Sequence, residues 1–236
     1  METITLPASR ANIAHLGYVG RKPGSSPRDS DEWYTPSFVV DLARKVMGTI
    51  HLDPFSSASA NVIIGAERIF DISTSAFDQT WLEANQKNKK KYAQGVNVWM
   101  NPPYGMPIIL QAIEKLIEQC QRGHVAQAIV LVNNATETRW WQMLFQASVA
   151  IAFPKQRIAF ISPDGKTIGG NTRGQTLFYL ACSVNASKHF LQEFATLGAV
   201  VQLKDLDHKV VPELSNGRQL SLLESQGGAN VYGTWR

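Results

Sequence analysis

Cysteine is nearly absent from this chain: Cys120 and Cys182 are the only two in 236 residues, and they stand far apart with no metal-ligand spacing around them. That excludes a disulfide-stapled scaffold and a zinc-type cluster, and it suits a reducing setting. No run of some 18 apolar residues occurs, and the first residues lack the charged-then-apolar order of a signal peptide. A soluble, cytoplasmic protein without a membrane partner is therefore expected. Glycine is missing where nucleotide-binding folds concentrate it, since Asp53 is followed by Pro54-Phe55-Ser56-Ser57-Ala58-Ser59. There is no internal repeat, and the surplus of positive charge is small, at +4. Such a surplus favours phosphate backbones without establishing a nucleic-acid partner.

What the chain does hold is an ordinary globular balance, 44% hydrophobic and 18% charged, and an alternation of strand and helix signals. Residues 1–30 carry Pro7, Gly17, Gly20, Pro23, Gly24 and Pro27 with no apolar period, and Arg10, Arg21, Lys22 and Arg28 make them basic. They read as a flexible arm suited to tracking a DNA backbone. At Thr35 a cap and at Pro36 a first-turn residue open a helix, which Val39, Val40, Ala43, Val46 and Met47 continue and Gly48 stops. Residues 49–52 read as a buried strand ending on Asp53-Pro54, followed by a Ser/Ala-rich turn, and residues 68–72 as a second strand. After the lysine-rich interruption at 87–91, Val96-Asn97-Val98-Trp99-Met100 reads as a third strand that delivers Asn101 at its carboxyl end.

Pro107 opens the next helix, with Ile109, Ala112, Ile113, Leu116, Ile117 and Cys120 on one face and Gly123 beyond it; residues 128–132 are again a buried strand. Strands thus alternate with helices from about residue 35 to 153, the pattern of an α/β fold with a mostly parallel sheet and helices on both faces. Further strands are expected at 151–153, 157–161 and 175–181. The last two are joined by a Gly-rich loop and are expected to form an antiparallel hairpin at one edge. A helix at 186–197 and a strand at 199–203 follow. One domain over 31–224 and a loosely ordered tail over 225–236 complete the expected organisation. Trp140 and Trp141 fall on a predicted helix and are given no role.

The chemistry gathers at Asn101-Pro102-Pro103-Tyr104, directly after a predicted strand and before a predicted helix, where open α/β sheets place their ligands. An exocyclic aromatic amine is a poor nucleophile because its lone pair is delocalised into the ring. The Asn101 side-chain oxygen and the Pro102 carbonyl can each accept one amine hydrogen, which draws the nitrogen towards tetrahedral geometry. Pro102 and Pro103 stiffen the backbone that carries these acceptors, and Tyr104 supplies a flat face for a base rotated out of a duplex. Such a reaction needs no metal and no nucleophilic serine or cysteine.

This loop resembles that of amino-methyltransferases in general. With Asp31-Glu32-Trp33-Tyr34-Thr35-Pro36, Leu52-Asp53-Pro54-Phe55-Ser56-Ser57 and Trp99 to Gly105 in that order, the chain resembles the phage-type Dam-like family of DNA N-6-adenine methyltransferases. Phe153 to Phe160 and Gly174 to Tyr179 are a looser match. The resemblance implies a Rossmann-like methyltransferase fold, S-adenosylmethionine as cofactor with S-adenosylhomocysteine as product, double-stranded DNA as partner, and a phage or prophage setting inside a bacterial cell. It also implies that Trp33, Thr35 and Pro36 hold the methionine end of the cofactor and that Asp53, Pro54 and Phe55 line its cleft. A carboxylate at a strand end, such as Asp53, suits an amino group. Glu67, Asp71 and Asp78 compete for the cofactor's ribose or adenine, and Asp78 is preferred.

For DNA contact the residues themselves point to the loop over 154–175, where Lys155, Arg157, Lys166 and Arg173 seek phosphate and Asn171 offers an amide to an adenine edge. Lys87 to Lys91 are a second candidate. Alternatives stay open: the same loop chemistry serves a protein glutamine amide or an RNA base, cytosine amine methylation is a short step away, and a catalytically silent DNA-binding relative would share the fold. Asparagine at 101, rather than serine or aspartate, favours adenine.

Overall fold

Strand β4 (Val125–Asn133) is buried along its length except at its last residue, which only a strand covered on both faces and both edges can sustain. The computed structural model describes residues 33–82, 90–162, 165–168 and 173–204. The basic arm expected at 1–30, the lysines at 87–89 and the tail at 225–236 lie outside them. Around β4 stand β1 (Leu52–Asp53), β2 (Arg68–Ile69), β3 (Val96–Met100), β5 (Ala150–Pro154), β8 (Gln175–Ala181) and β9 (Gly198–Gln202), in the order β2-β1-β3-β4-β8-β5-β9. The ladders from β2 to β4 are parallel. Strand β8 runs antiparallel to both β4 and β5, so β5 points with the parallel set, and β9 is antiparallel to β5. This is the expected α/β class.

Alternate residues of β4 serve the two faces. Ala128, Val130 and Val132 join one core with Ile109, Ile113 and Leu116 of α3 (Ile108–Gln121) and with Trp140, Trp141 and Leu144 of α4 (Arg139–Ala147). Ile129 and Leu131 join the other, with Val39, Val40 and Ala43 of α1 (Ser37–Met47) and with Phe190 and Phe194 of α5 (Ser187–Phe194). A period of two in the strand and of 3.6 in the helices makes three layers from one chain. The tryptophan pair, left without a role, is core: both rings are at most 7% exposed.

Helix α1 begins at Ser37, one residue after the expected first position at Pro36. Pro36 is its N-cap and makes no side-chain capping bond, since its ring has no acceptor; the Thr35 hydroxyl, expected to cap, is turned elsewhere, as described below. Gly48 ends the helix at φ 74°, a left-handed turn that glycine enters without a Cβ clash. The Ser/Ala-rich turn expected after β1 is in fact helix α2 (Ala58–Ile64), capped by Ser57 Oγ, which accepts from Ala60 N–H at 3.1 Å. Arg44 of α1 donates to the Ile63 and Ile64 carbonyls at 2.7 and 2.6 Å and so closes the far end of α2.

The antiparallel side of the sheet is where it was expected, with different pairing. Residues 157–161 and 175–181 do not pair with each other. A separate hairpin joins β6 (Phe160–Ile161) to β7 (Thr167–Ile168), and 175–181 is β8, inserted between β4 and β5. All seven β8 residues are buried, a pattern that an edge position would expose. The edge falls to β9, whose residues are mostly exposed. A Cβ on Gly198 would lie 2.1 Å from the Phe153 carbonyl, so glycine is what lets β9 approach β5 this closely.

Candidate active site at the carboxyl edge of the sheet

Because β1 to β5 share one direction, Asp53, Ile69, Met100, Asn133 and Pro154 all end on the same side of the sheet, and Gln175 opens β8 there. Asn101 follows β3 onto this edge. Its Nδ2 donates to Thr35 Oγ1 at 3.3 Å, and its Oδ1 accepts from the Tyr104 hydroxyl at 2.9 Å. The same hydroxyl stands 3.4 Å from the Leu131 carbonyl of β4. Tyr104 is 37% exposed; its ring stays open to solvent while burial of the hydroxyl end pushes its pKa above the ordinary range. Pro102 is buried and Pro103 exposed.

Beside this loop, at the end of β1, Asp53 is 3% exposed and accepts from Phe55 N–H at 3.2 Å. Burial pushes its carboxyl up to about 7, with the Phe55 amide and the Ser56 hydroxyl pulling it part of the way back. Among the described residues Asp53 has no cationic partner. Phe55 packs on Phe77, with ring centroids 5.5 Å apart, which brings the 77–78 turn alongside the end of β1. Pro54 is buried and Asp78 exposed.

The other two acids are engaged within the chain. Glu67, at the opposite end of β2, bonds Lys91 Nζ at 2.6 Å and the Tyr92 hydroxyl at 2.9 Å. Asp71 closes its own turn, accepting from Ser73 N–H at 2.9 Å and Thr74 N–H at 3.0 Å, and bonds to the Ser73 and Thr74 hydroxyls as well. Those bonds, the Ser73 hydroxyl first, hold its carboxyl below the usual range.

Trp33 is half-buried and stacks on Phe160, centroids 6.5 Å apart. Tyr34 exchanges backbone bonds with Ile161 at 2.7 and 2.9 Å, so β6 is stitched to the segment that carries Thr35 and Pro36. Both Thr35 and Pro36 are buried. The structure thus brings Thr35 and Asn101, 66 residues apart, into one bonded pair.

Of the DNA-contact candidates, Lys155 and Arg157 are exposed just beyond β5 and Arg173 is exposed just before β8. Lys166 lies in the β6–β7 turn, where its N–H donates to Ser162 Oγ at 3.2 Å. Asn171 lies outside the described residues. A shallow groove runs between Phe38 and Lys45 of α1 and Lys155 and Arg157, and no residue of the Asn101 loop lines it. Two polar residues at this edge escaped the sequence reading. Asn134 accepts from the Thr176 hydroxyl, and Gln175, 3% exposed, bonds the main chain on both sides of the basic loops. Only the Gly174-Gln175-Thr176 match hinted at them.

Comparison with known proteins points to one family. A family model described as DNA N-6-adenine-methyltransferase (Dam) matches residues 25–209, a span that takes in every candidate site residue named above. A DNA N-6-adenine-methyltransferase of Escherichia phage T1 is 26% identical over 178 residues, covering 68% of this chain and 67% of the phage protein. A DNA N-6-adenine-methyltransferase of Haemophilus phage HP1 (strain HP1c1) is 24% identical over 165 residues, covering 66% and 82%.

Proposed function

The chain belongs to the DNA N-6-adenine-methyltransferase (Dam) family, and on that footing we propose that it moves a methyl group from S-adenosylmethionine to the exocyclic amine of adenine in double-stranded DNA. The observation that carries this reading is the Asn101 loop: two amine acceptors and an open aromatic face at the carboxyl edge of β3, next to a buried acid with no cation among the described residues. Asn101 Oδ1 and the Pro102 carbonyl hold the amine hydrogens and turn its lone pair outwards. The Tyr104 ring receives the extruded base and recovers part of the stacking lost from the duplex. Its hydroxyl now occupies Asn101 Oδ1, so the incoming amine displaces it, and the Leu131 carbonyl remains within its reach.

The residues present fit the cofactor. A buried carboxyl raised to about 7 by desolvation regains its charged form when an ammonium is set against it, which is what the amino group of S-adenosylmethionine offers Asp53. When bound, the cofactor supplies an electrophilic methyl on a sulfonium. Trp33, Thr35, Pro36, Pro54 and Phe55 are the proposed walls around it. With Glu67 and Asp71 engaged within the chain, Asp78 is the proposed contact to its ribose or adenine. Lys155, Arg157, Lys166 and Arg173 are the proposed phosphate contacts and Asn171 the proposed base contact. The phage relatives support a phage or prophage origin.

The test is transfer of tritiated methyl from S-adenosylmethionine to unmethylated bacterial or phage DNA, with Asn101→Ala alongside and the labelled nucleoside identified after digestion. Label in N6-methyladenine that vanishes in the variant is the expected result. Intact cofactor binding without transfer to DNA would overturn the adenine reading and move the search to RNA or protein amides.

A further inference from the structure

The ladder between β5 and β8 ends at Ala152 and Leu177, yet the chain continues past it on both sides into basic, exposed segments: Lys155 and Arg157 after β5, Arg173 before β8. One buried side chain spans the gap. Gln175 accepts from Ile158 N–H at 2.9 Å through Oε1 and donates to the Arg173 carbonyl at 2.8 Å through Nε2. An amide N–H only donates and a carbonyl only accepts, so this carboxamide can sit one way round. Its residue is 3% exposed, so water cannot stand in for either partner.

We infer that Gln175 is a positioning residue for DNA: its carboxamide joins the loop after β5 to the segment before β8, so that Arg157 and Arg173 meet the phosphate backbone as one two-pronged element. Ile158 follows Arg157 directly, and the bonded carbonyl is Arg173's own, so each prong is held within one residue of its cation. Lys155, Arg157 and Arg173 form no ion pair with a carboxylate among the described residues, which leaves their charges available to an outside anion. Long cationic side chains on independently moving loops lose conformational freedom when each finds a phosphate, and tying their backbones together beforehand reduces that loss. The inference rests on the DNA reading proposed above.

The test is the salt dependence of binding to a double-stranded oligonucleotide by the full chain, because each phosphate contact contributes about 0.9 to the slope of log affinity against log salt. Arg157→Ala and Arg173→Ala are each expected to reduce the slope by about 1. Gln175→Met, which removes no charge, is expected to reduce it by about 1 to 2 and to add little in an Arg157→Ala/Arg173→Ala background. Gln175→Asn keeps a neutral carboxamide too short to reach both partners, so its slope is expected to fall between wild type and Gln175→Met; it is also the variant to read if Gln175→Met fails to fold. Cofactor affinity is expected to stay unchanged throughout. A wild-type slope in the Gln175 variants, with nothing altered except melting temperature, would reduce Gln175 to a structural residue. Absence of salt-dependent DNA binding by the unsubstituted chain would instead sink the DNA reading, and this inference with it.

Discussion

Asn97 lies near the start of strand β3 and Asn101 directly after its end, and the two are bonded in opposite ways. Asn97, on the amino side, donates through Nδ2 to the Met47 and Thr49 carbonyls at 2.8 and 3.1 Å and accepts from Gln127 Nε2 at 3.1 Å. Gln127 in turn accepts from the Tyr179 hydroxyl at 2.8 Å, which takes the Ala186 N–H at 2.6 Å. That network is closed: main-chain groups and buried side chains satisfy one another. Asn101, on the carboxyl side, meets two hydroxyls and no other partner among the described residues, and the hydroxyl on its acceptor oxygen has a second acceptor within reach. The same edge leaves Asp53 without a cation and Arg157 and Arg173 without a carboxylate among the described residues. Asn97 therefore serves folding, whereas the role proposed for Asn101 is to meet an incoming ligand, and the difference lies in whether their partners can be displaced.

That contrast can be broken in order of expected size. Asn101→Ala is expected to lower kcat by about 10²–10³-fold, the cost of losing one preorganised acceptor, while hardly moving the melting temperature; a large loss of stability with little loss of rate would reverse the assignment. Asp53 comes next. Its carboxyl is raised in the folded protein to about 7, so between roughly pH 4 and 7 the ligand-free native state binds more protons than the unfolded chain. The stability this gives is present at low pH and is lost as pH rises through about 7. Affinity for the proposed cofactor is expected to run the other way, rising as Asp53 ionises and levelling off above that pH. Asp53→Asn should abolish both trends, and melting curves with titrations of S-adenosylmethionine across the range read them directly.

Asn97→Ala is expected to cost about 1–3 kcal/mol by leaving buried partners unsatisfied, and so to lower the melting temperature by several degrees. At temperatures where the variant remains folded, kcat should match wild type. The smallest expected effect belongs to Thr35→Val, which takes the acceptor from Asn101 Nδ2 and should lower kcat by about tenfold at saturating cofactor, roughly the worth of one hydrogen bond. Thr35→Ser should restore it. If Thr35→Val instead weakened only cofactor binding, the hydroxyl would belong to the cofactor rather than to Asn101.

Much of the scaffold was legible from short-range pattern. Val39, Val40, Ala43, Val46 and Met47 announced α1, Ile109 to Cys120 announced α3, and the β-branched and aromatic residues 96–100 announced β3. Helix α2 was not read, because Ile64 is its one buried residue and no apolar face marks the segment; Ser57, its cap, was the available signal. Strand β8 was assigned to an edge hairpin because the Gly-rich stretch before it resembles a hairpin loop, and periodicity does not say which strand a buried run will join.

The division follows the range of the forces. Residue types and their local spacing determined by themselves that a rigid loop bearing two acceptors and an aromatic face stands at the end of a buried strand, since backbone sterics and side-chain chemistry act over a few residues. Tertiary structure decided which acid is buried with no cation among the described residues and which are engaged, that the Thr35 hydroxyl turns to Asn101 instead of capping α1, and that Gln175 bonds the main chain of two basic segments. Desolvation and hydrogen-bond pairing depend on neighbours that are distant along the chain and become neighbours only when the sheet assembles.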